Sequence, residues 1–160
     1  MSTVTYPLYI DPMEIADYLH ELLSQNAGPL GLAYVGTGDS LIPEYPAAIV
    51  SPGGKAKEIH TTRKFNVSID TFITIYHARL TARRRTRLRE DLDLVASIEG
   101  LIEDDYEFKS INPEKQVVFG FVSDIRPGML MNPKGEQTIG TRMVVNVVTQ
   151  QMFGRRAYES

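Results

Sequence analysis

Three histidines and two groups of carboxylates are the residues whose chemistry could support catalysis or metal binding. The histidines lie on a predicted helix (His20), in a predicted loop (His60) and at the end of a predicted strand (His77). Since no two of them have a metal-ligand spacing such as i, i+4, each is predicted to be a surface or rim histidine. Catalytic carboxylates need two different environments, but these groups fall on one predicted helix and at its end, where water solvates them. They are Glu90, Asp91, Asp93, Glu103, Asp104 and Asp105.

Two glycine-containing segments have a superficial likeness to phosphate-binding loops. Residues 36–38 lack a third glycine, and residues 52–55 lack the GKS or GKT ending, so both are predicted to be turns. A metal-dependent nuclease stays open as an alternative, with Glu58 and Asp70 as carboxylates and Lys64 nearby. The chain has no cysteine, which excludes a thiolate metal site and a cysteine nucleophile. The sequence therefore predicts no catalytic residue, no cofactor and no metal, and a protein that is not an enzyme.

Arginines form the sharpest local feature of the sequence. They stand at the start of the second predicted helix: Arg83, Arg84, Arg85, Arg87 and Arg89. Their charge opposes the helix dipole at that end, so something should compensate it. Three interpretations stay open: salt bridges to an acidic patch of a neighbouring subunit, which we favour, a solvated helix end, or contact with nucleic-acid phosphates. The net charge of −3 and the absence of interleaved aromatic residues argue against a nucleic-acid binder.

A second unusual feature is an apolar triplet in a predicted long loop, residues 126–140. Met129, Leu130 and Met131 stand between two prolines there. Three consecutive apolar side chains in a polar loop either fold back on their own domain or bind a partner. Because long structured loops are disproportionately functional, we expect partner contact.

The elements that position these residues are two helices and several strands. Residues 11–25 are predicted to form an amphipathic helix with an Asp11 cap, and Gly28 and Pro29 to end it. A second helix is predicted over residues 81–102. Its buried stripe is expected to contain Leu88, Leu92, Val95, Ile98 or Glu99, and Ile102, widened by Leu94 and Leu101.

The strands are predicted from alternation and from β-branched residues. Residues 32–35 and 47–50 are short apolar runs that we predict to be short strands. Residues 55–62 are expected to be a polar, mobile stretch. Residues 63–78 alternate with period two over a long strand, and Phe72 suggests that its second face is partly covered. Residues 116–125 and 141–152 form the last two strands. Two sets of residues are each expected to share one face: Val117, Phe119, Phe121 and Ile125, and Met143, Val145 and Val147.

The order of these elements predicts an α+β fold. It comprises an antiparallel or mixed sheet of about four to five strands with two main helices packed on one face. The 160 residues, of which 42% are hydrophobic, suit a single domain with a folded core from 11 to 152. Residues 1–10 are expected to be an arm and residues 153–160 a tail. Neither a signal peptide nor a membrane span is expected.

Four pieces of this layout match a known family: the helix at residues 11–25, the run at 46–50, the entry to the long strand at 60–65, and the helix end at 94–101 followed by two strands. Together they resemble the tail-terminator proteins of long-tailed bacteriophages, the minor tail protein U-like group. The resemblance implies a hexameric ring that caps the tail tube and joins it to the head. Its implied partners are other copies of the chain, the tail tube protein and a head-side neck or connector protein. Passing contact with genomic DNA stays open.

The resemblance also implies a structural protein of the virion tail or neck, made in the host cytoplasm. Its subunit and partner contacts are expected at the five arginines and at Met129, Leu130 and Met131. Two alternatives remain: another head–tail joining protein, and an unrelated ligand-binding α+β module. The second alternative would require a pocket with converging polar groups.

Overall fold

The computed structural model describes residues 11–38, 40–59, 64–79, 88–108, 111 and 117–152. The predicted arm and tail, and residues 81–87 of the predicted second helix, lie outside these residues. Within these described residues, three helices and five strands follow one another. They are α1 (Pro12–Gln25), α2 (Ala27–Leu30), β1 (Tyr34–Thr37), β2 (Ala47–Ile59), β3 (Lys64–Arg79), α3 (Leu88–Asp104), β4 (Val117–Met131) and β5 (Gln137–Met152).

The strands form one sheet in the order β1-β2-β3-β5-β4. Strand β1 pairs parallel with β2, and the other neighbours pair antiparallel. The predicted α+β class with a mixed sheet is therefore confirmed. No helix in the described part of the chain is long and apolar enough to cross a membrane.

Helix α1 begins with the predicted cap. The Asp11 side chain accepts from the Met13 N–H at 3.0 Å, and the Glu14 carboxylate accepts from the Asp11 N–H at 3.4 Å. This reciprocal pair satisfies backbone donors that the first turn leaves without helical partners. The helix ends at Gln25, and the short helix α2 follows before Gly31 stops it with a φ of 78°.

Strand β2 is longer than predicted, because residues 55–59 belong to it. Lys57 and Glu58 are exposed there, opposite Val67 and Asn66 of β3. The ladder to β3 gives their backbone groups partners, so the polar side chains can stay in water while the strand continues. The polar stretch expected at residues 55–62 is therefore a strand over residues 55–59, and residues 60–62 lie outside the described part.

The main core lies on one face of the sheet, which we call the inner face. Its strand residues sit opposite one another in register, as Ile69 does to Val147 and Ile73 to Met143. Both long helices contribute buried side chains to the same cluster. Its largest members include Ile15, Leu19, Leu23, Ile69, Ile73, Ile75, Ile98, Ile102, Phe108 and Met143.

The predicted stripe of α3 is only partly right. Val95, Ile98 and Ile102 are buried, whereas Leu88 is 51% and Leu92 55% exposed. Periodicity placed all of them on one side of the helix. The first turns, however, extend past the core cluster, which contains neither leucine.

The opposite face of the sheet, the outer face, is covered at one end by the segment between β1 and β2. Ile42 of that segment is buried in a small cluster with Ala47, Ile49 and Tyr76. The Tyr45 hydroxyl accepts a hydrogen bond of 3.0 Å from the side-chain amide of Asn132. This contact ties the segment to the far side of the sheet.

Candidate functional site

The arginine cluster is described only at its last member. Arg89 is exposed in the first turn of α3, beside the acidic residues Glu90 and Asp91. Arg83, Arg84, Arg85 and Arg87 lie outside the described residues. The interpretation of the cluster as a subunit contact therefore stays a prediction.

The predicted long loop at residues 126–140 does not exist. Strand β4 continues to Met131, β5 starts at Gln137, and a short turn joins them. Asn132 organises the turn, because its side-chain oxygen accepts from the Lys134 N–H at 3.0 Å and from the Glu136 N–H at 2.9 Å. The Gly135 N–H donates to the Asn132 carbonyl at 2.9 Å, and its φ of 83° suits glycine. The loop prediction failed because proline and glycine are tolerated on an edge strand.

The apolar triplet therefore alternates across the sheet. Leu130 packs against the small outer-face cluster that contains Tyr76. Met129 and Met131 pair in register with Ile139 and Gln137, and are 66% and 64% exposed. Within this strand, Leu130 therefore helps to stabilise the fold, whereas Met129 and Met131 belong to the exposed surface.

One exposed methionine, Met129, shares a groove with the exposed start of α3, and Met131 follows two residues later on β4. Met129, Leu88 and Leu92 line one groove, together with Pro127 and Ile139. The volume of this groove is about 330 Å³. We call Leu88, Leu92, Met129 and Met131 the methionine surface. Large apolar side chains that cluster with exposures of 51–66% are typical of a binding surface.

Three polar residues from three elements meet in the same groove. His77, at the register shift of β3 between Tyr76 and Ala78, is buried with only 6% of its surface exposed. Its Nε2 lies 2.9 Å from the Thr141 hydroxyl, and its Nδ1 lies 3.5 Å from the nearer Asp91 oxygen. The expectation of a rim histidine was wrong. His77 and Thr141 stand 64 residues apart in the chain, so no local spacing could have revealed the pair.

This arrangement holds the imidazole between a hydroxyl and a carboxylate. Hydrolases place a nucleophile, a base and an orienting carboxylate in that order. Thr141, however, is 3% exposed, so a substrate carbonyl could not reach its hydroxyl without rearrangement. The arrangement as it stands gives the apolar groove a small polar region that can donate or accept hydrogen bonds.

The described residues do not assemble the carboxylates of the alternative nuclease site. Glu58 lies opposite Asn66 on β3, four residues from Asp70, a separation of about 13 Å along a strand. Among the described residues, no group of three His, Cys, Asp or Glu side chains could hold a metal ion.

The outer face carries a second apolar area, on the half that the β1–β2 segment leaves open. Phe119 and Phe121 are 39% and 36% exposed, with ring centroids 5.6 Å apart. Ile125 instead packs against the inner core. The shared face predicted for Val117, Phe119, Phe121 and Ile125 is confirmed for the two phenylalanines and was wrong for Ile125, because β4 shifts register between Val122 and Asp124.

Polar groups on this half are bonded to one another. The Asn146 amide donates to the Ser68 hydroxyl at 2.6 Å and to an Asp70 oxygen at 2.8 Å. The Arg142 guanidinium lies 4.4 Å from the ring centre of Phe72. We call this region the open face. It is defined by six residues of β3, β4 and β5: Asp70, Phe72, Phe121, Arg142, Val144 and Asn146.

No protein-family model and no curated protein matches this chain. In the described part of the chain, the methionine surface with its groove and the open face are two candidate sites.

Proposed function

We propose that this chain is a structural protein of a bacteriophage tail, a tail terminator. Its copies form a hexameric ring that caps the tail tube and joins it to the head or neck. The observation that carries the proposal is the methionine surface, where Leu88, Leu92 and Met129 stand exposed around one groove and Met131 is exposed at the end of the same edge strand. Methionine is enriched at protein–protein interfaces and adapts its shape to a partner.

The layout of the chain also supports this proposal. The long strand and the closing strands that resemble tail terminators belong to one sheet, and the two long helices share its main core. Function then consists of binding, because modest contacts repeated around a closed ring give a stable assembly. The partners we propose are other copies of the chain, the tail tube protein and a head-side connector.

The direct test is the solution mass by light scattering, with electron micrographs of the same material and of isolated tail tubes mixed with it. We expect hexameric rings, either alone or at tube ends. A double Met129→Ser, Met131→Ser variant should lose them. Met13→Ser is the matched control, because Met13 is also exposed (48%) but lies on α1.

Two results would contradict the proposal: a wild-type chain that forms no ring even with tubes present, or a double variant that caps tubes as well as wild type. Loss of the protein from the phage separates a terminator from a head-side joining protein. Without a terminator, tails have abnormal lengths, whereas without a head-side joining protein normal tails remain headless.

A ligand-binding module is the second candidate, favoured by the groove itself. Its volume of about 330 Å³ falls in the range of small-molecule sites, and His77 and Thr141 supply converging polar groups. A metabolite that binds there should raise the melting temperature of wild type. It should not raise that of Leu92→Trp, whose larger side chain would fill the groove. Equal shifts for both proteins would place binding elsewhere.

A further inference from the structure

The methionine surface carries the most accessible sulfur atoms in the described part of the chain. The sequence has six methionines and no cysteine, so the thioether of methionine is the side-chain sulfur that a peroxide can oxidise. Met129 and Met131 are 66% and 64% exposed, more than any other large apolar residue that the structure describes. A peroxide in solution therefore reaches both of them directly.

The methionine that supports the fold is shielded from such a reagent. Met143 of β5 is fully buried in the inner-face core, in register with Ile73 of β3. A peroxide can meet its sulfur only when the fold opens. Met129 and Met131, in contrast, belong to neither buried cluster. Their oxidation therefore leaves the packing of both clusters intact.

Oxidation at these two positions would change the chemistry of the methionine surface. A sulfoxide is polar, and its oxygen needs a hydrogen-bond donor when it is buried. Met129 shares its groove with Leu88, Leu92 and Ile139, whose side chains have no donor. A partner that covers an oxidised Met129 would thus bury an oxygen atom next to apolar walls.

We propose that Met129 and Met131 are modification sites, at which oxidation by a peroxide switches off binding through the methionine surface. The sulfur lone pair attacks one oxygen of hydrogen peroxide, the S–O bond forms and the O–O bond breaks. The thioether loses two electrons and becomes a sulfoxide, and the second oxygen leaves as water. Methionine sulfoxide reductases reverse the step. They oxidise a dithiol to a disulfide and release the sulfoxide oxygen as water.

This inference rests on the proposed function, because it treats the methionine surface as the contact on which ring assembly depends. It adds a form of regulation to that contact. Free subunits present both sulfur atoms to solvent and are sensitive to peroxide. Subunits in a ring bury them and are protected, so oxidation selects against new assembly and spares finished rings.

The test begins with dilute protein treated with hydrogen peroxide before it is concentrated or mixed with tail tubes. Peptide mass spectrometry should find sulfoxide at Met129 and Met131 while Met143 stays reduced. Light scattering and micrographs should then show association at least about tenfold weaker than that of untreated protein, since each buried oxygen lacks a partner. The melting temperature should stay near that of untreated protein. Reductases supplied with a dithiol should restore the rings.

Leucine variants identify the methionines that are responsible. A double Met129→Leu, Met131→Leu variant keeps an apolar surface of similar volume but has no sulfur there. It should assemble and should resist peroxide. Met13→Leu is the matched control, because Met13 is 48% exposed on α1, and this variant should lose assembly as wild type does. Equal loss of assembly by the double variant overturns the proposal, since another methionine is then the sensitive one.

The two proposals fail in different ways. Rings that persist when mass spectrometry shows Met129 and Met131 converted overturn the switch and leave the proposed function in place. Oxidation of Met143 at the same rate as Met129 also overturns the switch, because the fold would then be the target. Untreated protein that forms no ring, even with tubes present, overturns the proposed function and this inference with it.

Discussion

Near the end of β4, three adjacent side chains alternate between the two faces of the sheet, and single alanine substitutions can test this alternation. Leu130 packs against the outer-face cluster, and its Cδ1 lies so near Gly140 that a Cβ there would approach it to 2.7 Å. Its neighbours Met129 and Met131 are 66% and 64% exposed. If the segment is a strand, only Leu130→Ala should change the free energy of unfolding markedly.

The expected size follows from burial. A fully buried leucine costs about 2–5 kcal/mol when it is truncated to alanine. Leu130 is only half-buried, so we expect a loss of about 1–2 kcal/mol by scaling that range. Met129→Ala and Met131→Ala should stay within about 0.5 kcal/mol of wild type, as exposed substitutions do.

Urea denaturation measures these differences in the free energy of unfolding. If the slope of this free energy against urea concentration is unchanged, the folded and unfolded states keep their compactness. For a chain of 160 residues, the loss for Leu130→Ala corresponds to a fall in melting temperature of roughly 2–8 °C. Equal losses for all three variants would refute the strand and its alternation. Such a result would instead support an apolar loop folded onto the domain.

Two further predictions concern the core and the contact between α1 and the end of α3. A Cβ on Gly120 would lie 2.6 Å from the buried ring of Phe108, so Gly120→Ala should destabilise the fold by about 1–3 kcal/mol. In Gly100→Ala the new methyl meets nothing within 4 Å, and that variant should instead gain about 0.5–1 kcal/mol by urea denaturation. Burial, reinforced by the hydrogen bond to Asp105 and by its charge, raises the pKa of Tyr18 above 10.0. The unfolded chain therefore loses this proton first, and stability that is fully present below pH 10 falls above it. As the pH rises above 10, the melting temperature of Tyr18→Phe should fall less than that of wild type. An identical fall for both proteins would contradict the raised pKa of Tyr18.

The sequence predicted those elements whose signals are local. Asp11 and Glu14 form the predicted capping box, because a spacing of three residues places the N-cap and N3 positions side by side at the start of a helix. The long strand β3 follows its period-two alternation, since alternate side chains of a strand point to opposite faces. The α+β class followed from the order of such elements.

Other features depend on pairing between distant segments and could not be predicted in this way. Residues 126–131 form a strand because β5 offers them a ladder of backbone hydrogen bonds. Register shifts in β4 decide that Phe121 points outward while Ile125 points into the core. Such shifts depend on the partner strand and leave no spacing signal in the chain itself.

The sequence by itself thus determined the capped helix, the amphipathic second helix, the long alternating strand and the class of the fold. Each of these depends on interactions between residues a few positions apart. Only the tertiary structure decided that His77, Asp91 and Thr141 share one groove, and that the Arg142 guanidinium lies over the ring of Phe72. The physical reason is that strand register, which sets these distances, is fixed by hydrogen bonds between segments far apart in the chain.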